Sequence, residues 1–268
     1  MTAAGDDRPI GVFDSGVGGL TVVEALRRRL PGESILYLGD TARLPYGTKS
    51  EATVTEYTRA NLRFLERRGV KLVVVACNTA SALALPHLET TLPTWGVLEP
   101  GAEQAARASA GRVGVIATES TIASDAYGRA LRARRADLEV WSVACPLFVP
   151  LVEEGWEDDP VAEIVARRYL EPLREHRIDT LVLGCTHYPL LAPVLRRVLG
   201  GEVELVDSAA AVAAAVASAL ERARLSAPNG GAPEHHFCVT DDAPRFARVA
   251  RRILSTPELS LELVEVRG

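Results

Sequence analysis

Two cysteines occur in the same local pattern at widely separated positions. Cys77 follows the apolar run LVVVA and precedes Asn-Thr, whereas Cys185 follows LVLG and precedes Thr-His. In both places we expect a strand to end before the thiol and a helix to begin after it, where peptide dipoles and free N–H groups lower the pKa of a thiol. A lone cysteine is usually a small buried hydrophobic residue, but the second copy favours two reactive thiols. Cys145 and Cys238 lack this context, and we interpret them as structural.

The residues beside the two thiols are polar and suited to a ligand. Asn78, Thr79 and Thr186 are of types that commonly cap helices, and their amide and hydroxyl groups can also bind a carboxylate. His187 lies two residues after Cys185, and an imidazole can exchange a proton or charge with a neighbouring thiol near neutral pH. The pattern therefore predicts anion binding and proton transfer at the same place.

A glycine-rich segment, DSGVGG, follows the first predicted strand. It fits neither the dinucleotide spacing GxGxxG nor the phosphate-loop spacing GxxxxGKS, so it predicts a tight turn that lets the backbone approach a small ligand. We expect Asp14 and Ser15 to point into a cleft, where an acid can hold an ammonium group. Tyr46 and Gly47, in the turn LPYG after the second strand, are expected at the same sheet edge, with an ordinary Pro-Gly turn as the alternative interpretation of that segment.

Two thiols that approach a small molecule from opposite sides could invert a stereocentre. One base removes a proton from one face of the carbon, and a conjugate acid returns a proton to the other face. The weakly acidic α-proton of an amino acid is often removed with the help of a pyridoxal Schiff base on a lysine. The sequence has only Lys49 and Lys71, one opening a helix and one starting a strand. Neither suits a Schiff base, and a route without a cofactor is expected.

Short apolar runs alternate with segments of helical period, which predicts α/β architecture with parallel sheets covered on both sides. The predicted strands are Ile10–Phe13, Ile35–Leu38, Leu72–Ala76, Val113–Ile116, Val140–Val143, Leu181–Leu183, Val203–Val206, Phe237–Thr240 and Leu261–Val266. The predicted helices include Leu20–Leu30, Glu51–Arg68, Val161–Arg174 and the alanine-rich run from Ala209 to Leu220. Segment 226–234, SAPNGGAPE, is predicted to be a loop.

An internal repeat organises these elements. Lys71–Pro86 aligns with Asp179–Val194, and Ile10–Phe13 aligns with Val113–Ile116 at a similar offset. The segment ILYLGDTARLPYG aligns in the same way with VWSVACPLFVPL. We therefore predict two similar open parallel-sheet lobes related by a pseudo-two-fold axis, each carrying one thiol at the carboxyl end of a strand, with the site in the cleft between them.

Composition excludes several classes of protein. The chain has 268 residues, 47% hydrophobic and 24% charged, as in folded globular proteins. A net charge of −5, with charges interspersed, gives no basic footprint for nucleic acid or an anionic membrane. The acidic start of the sequence does not resemble a signal peptide, and no apolar run is long enough to span a bilayer. We expect a cytoplasmic protein whose cysteines form no structural disulfides.

At this point the motifs carry a resemblance to a known family. The series GVFDSGVGGLTV, YLGDTARLPYG, ACNTAS, GVIATESTIASDAY, ACPLFVPLVEEG and GCTHYPLL is similar, in order and across residues 10 to 208, to the glutamate racemases. The resemblance implies cofactor-independent interconversion of L- and D-glutamate, which supplies D-glutamate for peptidoglycan. One departure is ATEST, where a glycine is expected before the first threonine but Ala117 stands.

The resemblance also implies roles for individual residues. Cys77 and Cys185 would be the catalytic thiols, assisted by Asp14 and His187. Glutamate would be bound by Asp14, Ser15, Tyr46, Gly47, Asn78, Thr79, Thr118, Thr121, Glu153, Thr186 and His187. It further implies a first domain of residues 1–98 plus 208–268 and a second domain of residues 99–207.

Alternative functions stay open at this stage. An aspartate or hydantoin racemase would share the fold and the two cysteines, although the CNTAS and CTHYP motifs favour glutamate. Cys77, Cys185 and His187 could instead form a zinc or redox site, although no metal is expected from the resemblance. The expected partner is glutamate, without nucleic acid or membrane, and the resemblance is compatible with a homodimer.

Overall fold

The computed structural model describes residues 5–228, 232–254 and 259–267, and these residues form two separate parallel β-sheets. The strands are β1 (Ile10–Asp14), β2 (Ile35–Gly39), β3 (Leu72–Val75), β4 (Thr94–Gly96), β5 (Arg112–Ala117), β6 (Glu139–Ala144), β7 (Thr180–Gly184), β8 (Glu204–Asp207), β9 (His235–Val239) and β10 (Leu261–Leu263). The first sheet has the order β10-β9-β2-β1-β3-β4, and the second has the order β6-β5-β7-β8. Every pair of neighbouring strands is parallel.

Helices cover the sheets and connect successive strands. They are α1 (Leu20–Arg29), α2 (Glu51–Arg67), α3 (Asn78–Leu83), α4 (Leu98–Ala108), α5 (Glu119–Ala123), α6 (Ala126–Arg134), α7 (Phe148–Glu154), α8 (Pro160–Glu175), α9 (Ala192–Leu199), α10 (Ser208–Ala223) and α11 (Ala243–Leu254). Side chains at the helix starts fix several of these boundaries. Ser50, Asp159 and Asp207 each accept a hydrogen bond from a backbone N–H in the first turn of α2, α8 and α10.

The central strands are buried because helices lie over both faces of each sheet. Every residue of β1, β3 and β7 is buried, and these strands are rich in valine, leucine and isoleucine. Such continuous apolar runs are typical of parallel strands shielded on both sides. The short segment between each strand and the next helix is then exposed to a ligand at the carboxyl end of the sheet.

The two sheets repeat the same strand order. In the first sheet β1 lies between β2 and β3, with β4 beyond β3, and in the second sheet β5 lies between β6 and β7, with β8 beyond β7. The predicted repeat of two α/β lobes is therefore confirmed. We call the part built on the first sheet lobe 1 and the part built on the second sheet lobe 2. The division of the chain into residues 1–98 plus 208–268 and residues 99–207 stays a prediction.

One hydrophobic cluster joins the lobes. It contains Phe13 and Val75 from lobe 1 together with Val115 and Val182 from lobe 2, all fully buried. Helices α4 and α10 pack against each other, and both also contact strand β7 of lobe 2. This shared packing holds the carboxyl ends of the two sheets in a fixed relation, which the site requires.

The predicted strands and helices are all present, with ends that differ by no more than three residues. The largest differences are at the last strand, which ends at Leu263 instead of Val266, and at α10, which ends at Ala223 instead of Leu220. Strand β4 was not predicted, because three residues, Thr94–Gly96, offer no apolar run long enough to detect. Residues 229–231 of the predicted loop lie outside the described residues. Among the helices of the described ranges, none is long and apolar enough to cross a membrane.

Candidate active site

A cavity of about 250 Å³ lies where the carboxyl ends of the two sheets face each other. Loops after β1, β2 and β3 line it from lobe 1, and loops after β5, β6 and β7 line it from lobe 2. The predicted site residues that line it are Asp14, Ser15, Tyr46, Gly47, Cys77, Asn78, Thr79, Thr118, Glu153, Cys185, Thr186 and His187. Residues more than 100 positions apart thus share a space sized for one small molecule.

Cys77 caps the start of α3. Its Sγ accepts a hydrogen bond from the Ala80 N–H at 3.5 Å and lies 3.7 Å from Ser15 Oγ. We predicted that the start of a helix would lower the pKa of this thiol, and for Cys77 that prediction is wrong. Burial and the nearby Asp14 carboxylate raise the pKa of Cys77 to about 12, against which one N–H donor is too weak. Cys77 is therefore a protonated thiol at neutral pH.

Asp14 is a buried carboxylate at the end of β1. Its Oδ2 accepts a hydrogen bond from the Gly16 N–H at 3.0 Å, whereas its Oδ1 is buried and has no hydrogen-bond partner in the described parts of the chain. Burial raises the pKa of Asp14, and the nearby His187 opposes that shift. An unpartnered buried carboxylate oxygen is costly, so this side of the cavity is prepared for a cationic donor.

Cys185 lies beside a charged imidazole. The Nδ1 of His187 is 3.8 Å from Cys185 Sγ, and its Nε2 is 3.1 Å from Glu153 Oε1. Burial acts to lower the pKa of His187, but the contacts with Cys185 and Glu153 overcome it and raise the pKa to about 10. His187 is therefore an imidazolium at neutral pH, and a cation at this distance stabilises a thiolate.

The ion pair between His187 and Glu153 extends to the surface through Arg245. Glu153 Oε2 accepts a hydrogen bond from Arg245 at 3.0 Å, and Arg245 belongs to α11 of lobe 1 whereas Glu153 belongs to α7 of lobe 2. Burial raises the pKa of Glu153, but His187 and Arg245 together lower it below its ordinary value. The carboxylate therefore stays ionised and keeps His187 charged.

Three threonine hydroxyls form a closed ring between the lobes. Thr79 Oγ1 of lobe 1 lies 3.0 Å from Thr118 Oγ1 and 3.2 Å from Thr121 Oγ1, and the latter two lie 2.9 Å apart. Thr79 and Thr118 line the cavity, whereas Thr121 is buried behind them and is not among the described residues lining it. The structure thus places Thr121 in contact with two predicted ligand-binding residues.

The lobes approach each other closely at Gly18. A Cβ at this position would fall 2.5 Å from Nδ1 of His187 and even closer to Oγ1 of Thr186. Thr21 Oγ1 also donates to the Thr186 carbonyl at 3.2 Å. The glycine-rich turn after β1 is therefore needed for contact between lobes, as well as for exposing backbone to the cavity.

A buried polar network supports the turn after β2. Asp40 accepts hydrogen bonds from Arg43 Nε at 2.8 Å, from Asn61 Nδ2 at 3.2 Å and from the Tyr46 hydroxyl. The hydroxyl of Tyr46 is thus bonded to Asp40, so the predicted ligand contact of this residue falls to its other atoms. We did not predict this network, because Asn61 is 21 positions from Asp40 and becomes its partner only through the packing of α2.

Some residues that line the cavity were not predicted from the sequence. They are Thr48, Glu119, Pro146, Val149 and Pro150. Glu119 begins α5, and the last three come from the loop after β6 and the start of α7. The alignment of VWSVACPLFVPL with the turn that contains Tyr46 was the available signal for the last three, since equivalent loops of repeated lobes face the same cleft.

The remaining polar clusters lie elsewhere. Lys71 Nζ donates to the Asp6 and Leu225 carbonyls at 2.8 and 2.9 Å and pairs with Glu33, at the amino ends of the strands and away from the cavity. In the described portion of the chain, no group of three or more His, Cys, Asp or Glu side chains could hold a metal ion.

Known proteins are similar to this chain in sequence and in fold. Residues 18–216 match the model of the Asp/Glu/hydantoin racemase family. A glutamate racemase of Geobacter metallireducens is 54% identical over 250 residues, which cover 92% of this chain and 93% of that protein.

Solved structures agree over the same extent. A glutamate racemase of Bacillus anthracis superposes with a TM-score of 0.93 at 39% identity, covering 97% of this chain and 98% of the other. A glutamate racemase of Francisella tularensis, solved in complex with D-glutamate, gives a TM-score of 0.91, also at 39% identity and with the same coverage. The likeness covers both sheets and the cavity between them, and the chain is an isomerase that belongs to the Asp/Glu/hydantoin racemase family, in its glutamate racemase branch.

Proposed function

We propose that this chain interconverts L- and D-glutamate without a cofactor, by proton transfer between Cys77 and Cys185 across one cavity. The observation that carries the proposal is the placement of the two thiols. Each follows the equivalent central strand of its lobe, β3 or β7, and both line the same cavity. Two near-identical lobes that each contribute one acid–base group suit a substrate whose two forms are mirror images.

The surroundings of the two thiols suggest their roles. Cys77, buried beside Asp14, keeps its proton and is the proposed acid for L-glutamate, whereas Cys185, 3.8 Å from the imidazole of His187, is the proposed base. The Cys185 thiolate then removes the α-proton of L-glutamate, forming its S–H bond as the C–H bond breaks. The carbanion takes the proton of Cys77 on its opposite face, which yields D-glutamate and a Cys77 thiolate. The reverse reaction runs through the same steps with the roles exchanged.

The polar groups of the cavity suit the charges of glutamate. The unpartnered Oδ1 of Asp14 can accept from the ammonium group. The hydroxyls of Thr79 and Thr118 and the amide of Asn78 can donate to a carboxylate. The glutamate racemase of Francisella tularensis is known in complex with D-glutamate, which supports this substrate. We further propose that the product serves peptidoglycan synthesis, in the cytoplasm.

Racemisation by the purified chain tests the proposal. We expect circular dichroism to show conversion of L- and D-glutamate to the racemate without added cofactor, and far slower conversion of the two aspartates. Cys77→Ser and Cys185→Ser should each lower the rate by several orders of magnitude, because a hydroxyl is a much poorer base than a thiol near neutral pH. Cys145→Ser is the matched control, since Cys145 is buried in lobe 2 and is not part of the cavity lining described.

Three results would contradict the proposal. Faster turnover of an aspartate than of glutamate would assign another substrate within the family. Full activity in either cavity variant would remove the two-thiol mechanism. A stoichiometric metal in the purified protein, with activity lost on chelation, would favour metal chemistry instead.

A further inference from the structure

The side-chain amide of Asn78 has one end satisfied and one end free. Asn78 lines the cavity at the start of α3, and its Oδ1 accepts a hydrogen bond from the Tyr127 hydroxyl at 2.6 Å. Its Nδ2 is buried and, in the described ranges, has no hydrogen-bond partner. An unpaired buried donor is unfavourable, so an acceptor is expected to arrive with the ligand.

Tyr127 comes from the other lobe and is buried. It lies on α6 of lobe 2, is 2% exposed, and packs near Ser208 at the start of α10, since both flank Gly101. Burial raises the pKa of the Tyr127 phenol, so the phenol stays protonated. The protonated phenol therefore has its hydrogen available to donate to Asn78 Oδ1.

We propose that Tyr127 is a positioning residue that orients the Asn78 amide, so that the cavity presents an N–H donor, and not a carbonyl oxygen, to a carboxylate of the substrate. This inference rests on the proposed function and names a residue outside the predicted site. An asparagine amide has ends of nearly equal size and opposite hydrogen-bonding character. Without the Tyr127 hydroxyl, this hydrogen bond no longer fixes the amide. The amide can then turn its oxygen toward the substrate carboxylate, and the two groups repel each other.

Ser208, Tyr127 and Asn78 come from three different helices that meet beside the cavity. The start of α10, helix α6 and the start of α3 each contribute one of these side chains. Gly101 of α4 allows the close packing, because a Cβ there would lie 3.0 Å from Ser208 Cβ and 3.5 Å from the Tyr127 hydroxyl. The orientation of the Asn78 amide, a ligand-binding group of lobe 1, is therefore set by Tyr127 of lobe 2.

Tyr127→Phe removes the hydroxyl and keeps the ring. We expect the KM for both L- and D-glutamate to rise about three- to tenfold, as for loss of one oriented hydrogen bond. The effect on kcat should be smaller, because the carboxylate is present in both the substrate and the transition state. Tyr169→Phe is the matched control: that hydroxyl accepts from the Leu147 N–H at 3.3 Å, away from the cavity lining, and its loss should leave KM unchanged.

A double-mutant cycle separates orientation from general destabilisation. If Tyr127 acts through the amide, Tyr127→Phe should add nothing to the KM of Asn78→Ala. A KM increase of the same size in both backgrounds would overturn the inference, as would an unchanged KM in Tyr127→Phe alone.

Binding measured without turnover distinguishes this inference from the proposed function. Calorimetric titration of D-glutamate into the Cys77→Ser/Cys185→Ser protein, with and without Tyr127→Phe, gives the affinity directly. We expect a three- to tenfold weaker Kd with the added substitution. Equal affinities would refute the role of Tyr127 alone. Failure of the wild-type chain both to racemise and to bind glutamate would refute the proposed function and this inference together.

Discussion

Nε2 of His187 lies 3.1 Å from Oε1 of Glu153, on the side of the imidazole that faces away from Cys185. The pair gives Cys185 a cationic neighbour, whereas Cys77 has the anionic Asp14 near it. Two thiols at equivalent ends of equivalent strands thus experience opposite electrostatic fields. The near symmetry of the backbone therefore does not extend to the charges around the two thiols.

Glu153→Gln should lower the pKa of His187 from its value of about 10, because a neutral amide stabilises an imidazolium less than a carboxylate does. The wild type keeps the imidazolium until the pH approaches 10, so its L-to-D turnover should fall only above that range. In the variant, the alkaline decline of kcat should begin closer to neutral pH. Profiles of kcat between pH 6 and 11 measure the shift.

Glu154→Gln is the control for that experiment, since Glu154 is the next residue of α7 and contacts Arg245 instead of His187.

The variants Glu153→Gln and Glu154→Gln should also differ in how their stability depends on pH. A histidine whose pKa is raised on folding stabilises the fold at low pH and loses that contribution as the pH rises from about 6.5 through about 10. The decline of the unfolding free energy over this range should therefore be shallower in Glu153→Gln than in Glu154→Gln. Identical profiles would contradict the assignment.

Asp14→Asn and His187→Asn should bias turnover in opposite directions. Asp14 lies on the Cys77 side, and we assign Cys77 as the base for D-glutamate, so Asp14→Asn should lower kcat more for D-glutamate. His187→Asn should lower kcat more for L-glutamate, with losses on the order of 100-fold. The two values of kcat/KM must stay equal in each variant, because enantiomers have an equilibrium constant of one. Equal loss of kcat in both directions in both variants would remove the assignment.

Each serine variant should retain one half-reaction. Elimination from a glutamate that carries a leaving group next to the α-carbon needs proton removal on one face only. Cys77→Ser keeps Cys185 and should process the L-configured analogue, whereas Cys185→Ser should process the D-configured one. Release of the leaving group from each enantiomer measures this. If both variants acted on the same enantiomer, the thiols would not lie on opposite faces.

Gly18→Ala should force the lobes apart. The added methyl group would fall within 2.5 Å of His187 Nδ1, so the turn after β1 or the segment carrying His187 has to move. We expect a loss of about 1–3 kcal/mol in the free energy of unfolding, as for other overpacked sites, together with a lower kcat/KM. Gly32→Ala is the control, because a Cβ there meets nothing within 4 Å. Comparable stability and activity in the two variants would show that the contact is not constraining.

The elements and the chemical centre were largely predictable because they depend on local patterns. Cys77 and Cys185 follow buried strands, and the carboxyl ends of parallel strands meet at one edge, so their convergence needed only the repeat. Contacts made by packing between distant elements were not predictable in the same way. Arg245 reaches Glu153 only because α11 of lobe 1 lies against α7 of lobe 2, and neither segment has a pattern that identifies the other.

The error about Cys77 has a definite physical origin. The local pattern correctly placed the thiol at the start of α3, where one N–H group donates to the sulfur. It gave no information on how completely the packed lobes would exclude water from that sulfur. Desolvation, which penalises a thiolate more than one donor stabilises it, then determines the pKa. Burial is a property of the assembled lobes and not of any one segment.

The ring of Thr79, Thr118 and Thr121 has three hydroxyl protons, one for each of its three hydrogen bonds. When Thr79 or Thr118 donates a hydrogen bond to a ligand oxygen, its hydroxyl hydrogen no longer bonds within the ring. The ring therefore loses one hydrogen bond for each one that the ligand gains. A neutral carbonyl therefore gains little from this exchange. A carboxylate gains more, because hydrogen bonds to an ionised acceptor are about twice as strong as neutral ones. Because the exchange favours only the ionised acceptor, this end of the cavity discriminates between an acid and its amide.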